Sequence, residues 1–401
     1  MSLTLSKSGL GISPSATLAM DTRAKELLSE GYDVIKFGVG EPDFDTPEFI
    51  REAAKKAIDE GKTRYTAVAG TMGLRSAIAA KLLRDNNIKY NPVNEIIVSS
   101  GAKQSVFIAL CALLNPGDEV IIPAPCWVSY PEMVRMAGGK AVLATAKVEN
   151  DFVLSAEELE PYITENTKAI ILNTPNNPNG SITPKPILEG IARLAVKHGF
   201  YVISDEIYEK LIYDGEKAVS IASLGEDIKN QTIIVNGVSK TYAMTGWRIG
   251  YAAGPREVIK VMTAYQSHAA SNPNSIAQEA SRVAIEAGDC QCVKDMVAEF
   301  DARRVLMHHL ANSIPGLSAF MPKGAFYLMV NISGLIGKKY NGETITGSDK
   351  FAELLLNSKY VAVVPGKPFG DDVHVRLSYA TSSGNIKRGL DRIAEFVSEL
   401  E

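Results

Sequence analysis

Apolar positions along the chain alternate between two rhythms. Short runs rich in Ile, Val and Ala at 95–99, 119–122, 169–172, 201–204, 232–235 and 249–253 predict strands. Between them, apolar residues recur every three to four positions and predict helices. One spans 47–57, after the start signal Thr46-Pro47, and others span 74–83, 102–114 and 186–198. In 102–114, Val106, Ala109, Leu110 and Leu113 share one face. Strand–helix alternation of this kind predicts an α/β fold, a mostly parallel sheet with helices on both faces. One interval breaks the rule. Between 232–235 and 249–253 there is room for a loop but hardly for a crossover helix, because parallel neighbours need about a dozen residues or more. The 249–253 strand is therefore expected to run antiparallel to its predecessor. After about Glu299 the rhythm changes to a long charged helix (302–311), an apolar run (324–330), another helix and a last run (374–377). This predicts a large domain over 41–298 and a smaller α+β domain built from 1–40 and 299–401.

Composition narrows the function. The 401 residues exceed the roughly 250–300 at which one core stops growing, which agrees with two domains. With 42 Lys+Arg against 46 Asp+Glu, the net charge is −4 and there is no long basic run, so neither nucleic acid nor an anionic membrane is expected as a partner. No apolar run reaches the roughly 20 residues that span a bilayer. The start, Met1-Ser2-Leu3-Thr4-Leu5-Ser6-Lys7, lacks the basic-then-apolar order of a secretory leader. The 4 cysteines show no metal-type spacing and are too few for a disulfide scaffold, which predicts a reducing compartment, the cytoplasm. The histidines form no ligand cluster, since adjacent His308 and His309 face different directions on a helix, and no metal is expected. No G-x-G-x-x-G opens the first strand–helix turn, which argues against a plain dinucleotide-binding protein.

Candidate chemistry gathers at strand ends. Asp205 follows 201–204 directly, Asn177 lies in a turn-rich loop after 169–172, Lys240 follows 232–235 by a short polar loop, and Gly101 follows 95–99. Each alone is ordinary loop polarity. Open α/β sheets bind ligands outside the carboxyl ends of their strands, so four such ends carrying Gly, Asn, Asp and Lys describe one convergent site.

The segment Ser239-Lys240-Thr241-Tyr242-Ala243-Met244-Thr245-Gly246-Trp247-Arg248 resembles the lysine segment of fold-type-I pyridoxal-phosphate (PLP) enzymes, specifically the class I aminotransferases. The likeness runs from Gly40-Glu41-Pro42-Asp43-Phe44 to Arg376-Leu377-Ser378-Tyr379 and is nearest the bacterial-type aspartate aminotransferases. It implies a seven-stranded, mostly parallel sheet with a smaller α+β domain, PLP as cofactor, and ping-pong transfer of the amino group of L-aspartate to 2-oxoglutarate. By the same resemblance, Lys240 forms the Schiff base and shuttles the Cα proton, Asp205 pairs with the pyridine nitrogen, and Tyr208 and Asn177 hydrogen-bond the phenolic oxygen. Trp127 stacks on the ring. Ser100, Gly101, Ala102 and Lys103 at a helix start, with Arg248, hold the phosphate, since helix N-termini attract anions. The family often has a Ser three residues before the lysine, where this chain has Gly237. Tyr65 matches a residue that reaches the phosphate of the neighbouring subunit, which implies a homodimer with shared sites.

For the substrate, the resemblance gives the α-carboxylate to Arg376 and the Gly40 backbone, beside Trp127 and Asn177. An Arg in an alternating strand that points inward demands an anion, and its fork grips a carboxylate as no lysine can. Ser267 stands where the animal-type branch carries its distal-carboxylate Arg, four residues before Ser271-Asn272-Pro273. Lys103 and Thr17 occupy the positions that serve this purpose in the bacterial branch. A cation is disfavoured at a helix start, which itself marks Lys103. The same Thr/Lys pair occurs in relatives that transaminate prephenate, so a prephenate or broader activity stays open. A PLP lyase on the same fold would share Lys240, Asp205 and Arg376.

Overall fold

The six apolar runs and one further strand pair into one sheet in the computed structural model, which describes residues 4–13 and 16–401, with the side chains of 7–8 and 16–19 outside the description. Its strands are β1 (Ile96–Ser99), β2 (Glu119–Ala124), β3 (Lys140–Thr145), β4 (Thr167–Asn173), β5 (Tyr201–Asp205), β6 (Thr232–Gly237) and β7 (Gly250–Ala253). The spatial order is β1-β7-β6-β5-β4-β2-β3. As the short 236–248 connection requires, β7 runs antiparallel to β6 and also to β1. Every other pair is parallel. The pattern of apolar runs does not reveal β3. It lies at the sheet edge, its residues are mostly exposed or half-buried, and an edge strand needs no continuous apolar run.

The helices lie where the 3.6-residue period places them: α1 (Glu48–Asp59), α2 (Met72–Asn86), α3 (Ala102–Leu113) and α4 (Lys185–His198). Thr71 caps α2 by accepting the Leu74 N–H, and α4 stops at Gly199, whose φ of 74° is left-handed. Side chains alternate across the sheet with period two. Ile97, Ile122, Ile171 and Ile203 pack with Val106, Ala109 and Leu110 of α3. Their neighbours Ile121, Ile170 and Val202 pack instead with Leu188, Ile191 and Ala195 of α4. The two helices thereby cover opposite faces.

Beyond the sheet, α5 (Gln291–Asn312) runs without a break through the point where the sequence rhythm changes. A second, three-stranded antiparallel sheet has the order β9-β10-β8, from β8 (Tyr327–Asn331), β9 (Val364–Pro365) and β10 (His374–Ser378). It packs with α5 and with α6 (Ser383–Ser398) around Phe300, Phe326, Phe351 and Phe396. Ile35–Lys36 pairs in parallel with Val361–Ala362, which ties the N-terminal segment to this C-terminal part.

Candidate active site

The carboxyl ends of the parallel strands open on a crevice of about 460 Å³. Asp205, Asn177, Tyr208, Lys240 and Arg248 line it from the large sheet, and Gly40, Tyr327 and Arg376 line it from the other side. Lys240 and Asp205 thus share one cavity, as the strand-end reading requires.

Asp205 closes β5 and is 4% exposed. Burial pushes its carboxyl up to about 6 against the usual 3.8. The Tyr130 hydroxyl, the Ile207 N–H and the charge of Lys240 oppose that rise. Tyr130 donates to Oδ2 at 2.7 Å and the Ile207 amide to Oδ1 at 3.2 Å. Lys240 is half-buried, and its Nζ donates to the Gly40 carbonyl at 2.6 Å. Burial pushes its amine down to about 8. Glu41 opposes this, while Arg248 and Arg376 add to it. The buried Tyr208 hydroxyl meets that of Tyr327 at 2.9 Å, and burial first, then Tyr327, holds the Tyr208 phenol well above its ordinary range.

Arg376 reaches the cavity from β10. Its Nη1 donates to Asn177 Oδ1 at 2.8 Å and its Nη2 to the Gly38 carbonyl at 3.0 Å. The guanidinium lies 4.4 Å from the Tyr327 ring and 5.1 Å from the Phe369 ring. Among the described residues its Nε is buried without a hydrogen-bond partner, and none of these contacts is an anion. The arrangement leaves a desolvated cation that a carboxylate would complete.

The other end of the crevice is built for close backbone approach. Gly101, at φ 88°, precedes α3, and a Cβ there would overlap the Arg248 guanidinium. A Cβ on Gly250 would overlap the Ala102 backbone. Arg248 itself takes a left-handed φ of 55°, is exposed, and donates from Nη1 to the Thr245 carbonyl at 2.8 Å. The free N–H groups of the α3 start and this guanidinium present donors and positive charge. The Lys103 ammonium lies 4.7 Å from the centre of the Trp127 ring, and partial burial, then the charge of Arg248, hold it below its ordinary range.

Three expected residues do not line the crevice, and the side chain of a fourth lies outside the description. Ala102 and Lys103 line the crevice whereas Ser100 and Gly101, just before them, do not, and the Ser100 N–H bonds to Gln104 Oε1. Tyr65 is 90% exposed and does not line the cavity. The side chain of Thr17 lies outside the described residues, although Asp21 on the same helix, Ala16–Ser29, lines the cavity. Sequence reading missed Asp21, Tyr130, Thr245 and Tyr327. A tyrosine within or beside an apolar run looks like core until packing places its hydroxyl.

The family model described as aminotransferase class I and II matches residues 32–393. The chain is 45% identical over 395 residues to the aspartate aminotransferase of Bacillus subtilis (strain 168), covering 98% of this chain and 99% of that one. It is 42% identical over 397 residues to the aspartate/prephenate aminotransferase of Nitrosomonas europaea, covering 98% and 100%. Among solved structures, the aspartate aminotransferase from Rhizobium meliloti superposes with a TM-score of 0.96 at 43% identity over 100% of both chains. That of Thermus thermophilus with maleate gives 0.91 at 43%, covering 98% of this chain and 100% of that one. The likeness extends through almost every element described above, and the chain belongs to the class I and II aminotransferases.

Proposed function

We propose that this aminotransferase uses pyridoxal phosphate to move the amino group of L-aspartate to 2-oxoglutarate in two ping-pong half-reactions. The observation that carries the reading is the Lys240 amine and the Asp205 carboxylate opening on one crevice. The donor set fits the cofactor. An amine is available for an aldehyde, a buried carboxylate for a protonated ring nitrogen, the half-buried Trp127 for the ring face, and the α3 start with Arg248 for a phosphate. When bound, PLP supplies an aldehyde to carry the amino group and a protonated ring that withdraws electrons from the substrate Cα.

The chain's own residues do the rest. With its amine pushed down to about 8, Lys240 holds a useful fraction of neutral base near pH 7 and moves the Cα proton. Arg376, steadied by Asn177 and Gly38, grips the α-carboxylate and so orients the Cα–H bond. Tyr208, with Tyr327 at its hydroxyl, and Asn177 offer hydrogen bonds to the cofactor's phenolic oxygen. Lys103, with Thr17, is assigned the distal carboxylate. The dicarboxylate bound to the Thermus thermophilus relative and the aspartate in the relatives' names support that assignment. The relatives named aspartate/prephenate aminotransferase favour prephenate as a second amino acceptor.

The proposal extends to a homodimer in which Tyr65, 90% exposed, reaches the partner's phosphate. It also includes the division into 41–298 and 1–40 with 299–401, which the pairing of Ile35–Lys36 with Val361–Ala362 supports. Four free thiols suit the cytoplasm, and among the described residues no helix is long and apolar enough to cross a membrane. The test is a spectrum of the purified protein with PLP, then assay of L-aspartate with 2-oxoglutarate and with prephenate. Glutamate and oxaloacetate formed only when the keto acid is present support the reading, whereas product without any keto acid indicates a lyase.

A further inference from the structure

Asp205 is a buried carboxylate with no cation in bonding contact among the described residues. Lys240, the cation that acts on it through charge, gives its Nζ to the Gly40 carbonyl instead. The remaining groups set against Asp205 are the Ile207 amide, the Tyr208 phenol and the Tyr130 phenol. Of these, Tyr130 makes the shorter hydrogen bond, from a side chain that is itself 2% exposed.

We propose that Tyr130 is a positioning residue: its O–H, 2.7 Å from Oδ2 of Asp205, fixes that oxygen and favours the carboxylate over the carboxylic acid. The chemistry favours a phenol for this task. Burial first, and then Asp205, raise the Tyr130 phenol well above its ordinary range, so the proton stays on the tyrosine, which donates to the ionised carboxylate. A hydrogen bond to a charged group shifts an ionisation by about one to two pH units. With Oδ2 held by Tyr130 and Oδ1 by the Ile207 amide, rotation of the carboxylate is restrained at the crevice that Asp205 and Tyr130 both line. The Tyr130 ring also meets the Trp127 ring edge-on, with centroids 5.2 Å apart and planes at 86°. One short segment, Trp127 and the start of helix Ser129–Met136, therefore sets both the aromatic platform and the charge of Asp205.

The role in cofactor chemistry rests on the function proposed above, but the effect on Asp205 does not, so the first measurement uses the apoprotein. Melting temperatures are followed from pH 5 to pH 8 for the wild type, Tyr130→Phe, Asp205→Asn and the double variant. A carboxyl raised above its usual 3.8 to about 6 favours folding at low pH, and that contribution is lost as pH rises through 6. Tyr130→Phe raises it further. Its deficit against the wild type is therefore expected to widen between pH 5 and pH 8, and the widening is expected to vanish in the Asp205→Asn background. A deficit equal at every pH, or a widening that survives in Asp205→Asn, overturns the assignment. The second measurement is the PLP dissociation constant at pH 7.5, read from visible absorbance, expected to rise about ten-fold or more in Tyr130→Phe. Unchanged affinity also overturns the proposal. If the wild type binds no PLP while the apoprotein arm behaves as described, the function above fails and the Tyr130–Asp205 link stands.

Discussion

Asp205 and Arg248 face the same crevice under opposite conditions. Asp205 is sealed at the end of β5 with a donor on each oxygen, whereas Arg248 is exposed and spends one nitrogen on the Thr245 carbonyl. Arg376 sides with Asp205: it is 2% exposed, held by Asn177 and Gly38, and unfinished at Nε. Lys103 sides with Arg248, at the rim over Trp127. The contrast separates two ways of making a site. On the floor, burial makes every polar group costly, so the fold must already hold each one in place, and their ionisation is shifted before any ligand arrives. On the rim, water screens the charges and the ligand itself supplies the partner.

Breaking the floor should therefore cost most. Lys240→Ala is expected to lower turnover by more than about 10⁴-fold and to remove the visible absorbance of the PLP-loaded protein. Turnover within a hundred-fold of the wild type would remove Lys240 from the chemistry. Next comes Arg376→Lys, which keeps the charge and loses the fork. It should cost about 2 kcal/mol or more in kcat/KM, and near-normal kinetics would show that the bidentate grip does not exist. A rim change, Lys103→Ala, should raise KM for aspartate about ten-fold and leave that for alanine nearly unchanged. Equal effects on both amino acids would deny it the distal carboxylate. The smallest test is one of pH. An amine lowered from 10.5 to about 8 is already half neutral at pH 8. Reductive alkylation of Lys240 in the apoprotein should level off above about pH 8, while exposed lysines go on gaining reactivity towards 10.5. A profile that keeps climbing with theirs would place Lys240 in water.

Much of the floor was legible without coordinates. β5 and β6 are buried along most of their length, so they read as continuous apolar runs, and the polar residue that ends each run stands out. Loop length alone set the direction of β7. The family resemblance then placed Lys240, Asp205 and Arg376 in one site. The rim was harder to read. Tyr65 carries no local signal beyond that resemblance, since an exposed side chain leaves no trace in an apolar period, and the sequence around Thr17 carries none either. Edge strand β3 escaped for the same reason, having little apolar surface to bury.

What the sequence by itself determined is the set of elements and the chemistry stationed at their ends, because period and run length are local consequences of burial. Tertiary structure decided which hydroxyls complete that chemistry. Tyr130 lies 75 residues before Asp205, and Tyr327 lies 119 after Tyr208. Each reads as a core aromatic within its own segment. Only the crossover connections, which bring strands and helices distant in sequence to one end of the sheet, turn those phenols towards a carboxylate and a second phenol. A hydrogen bond depends on distance and angle in space, and no spacing along the chain encodes either.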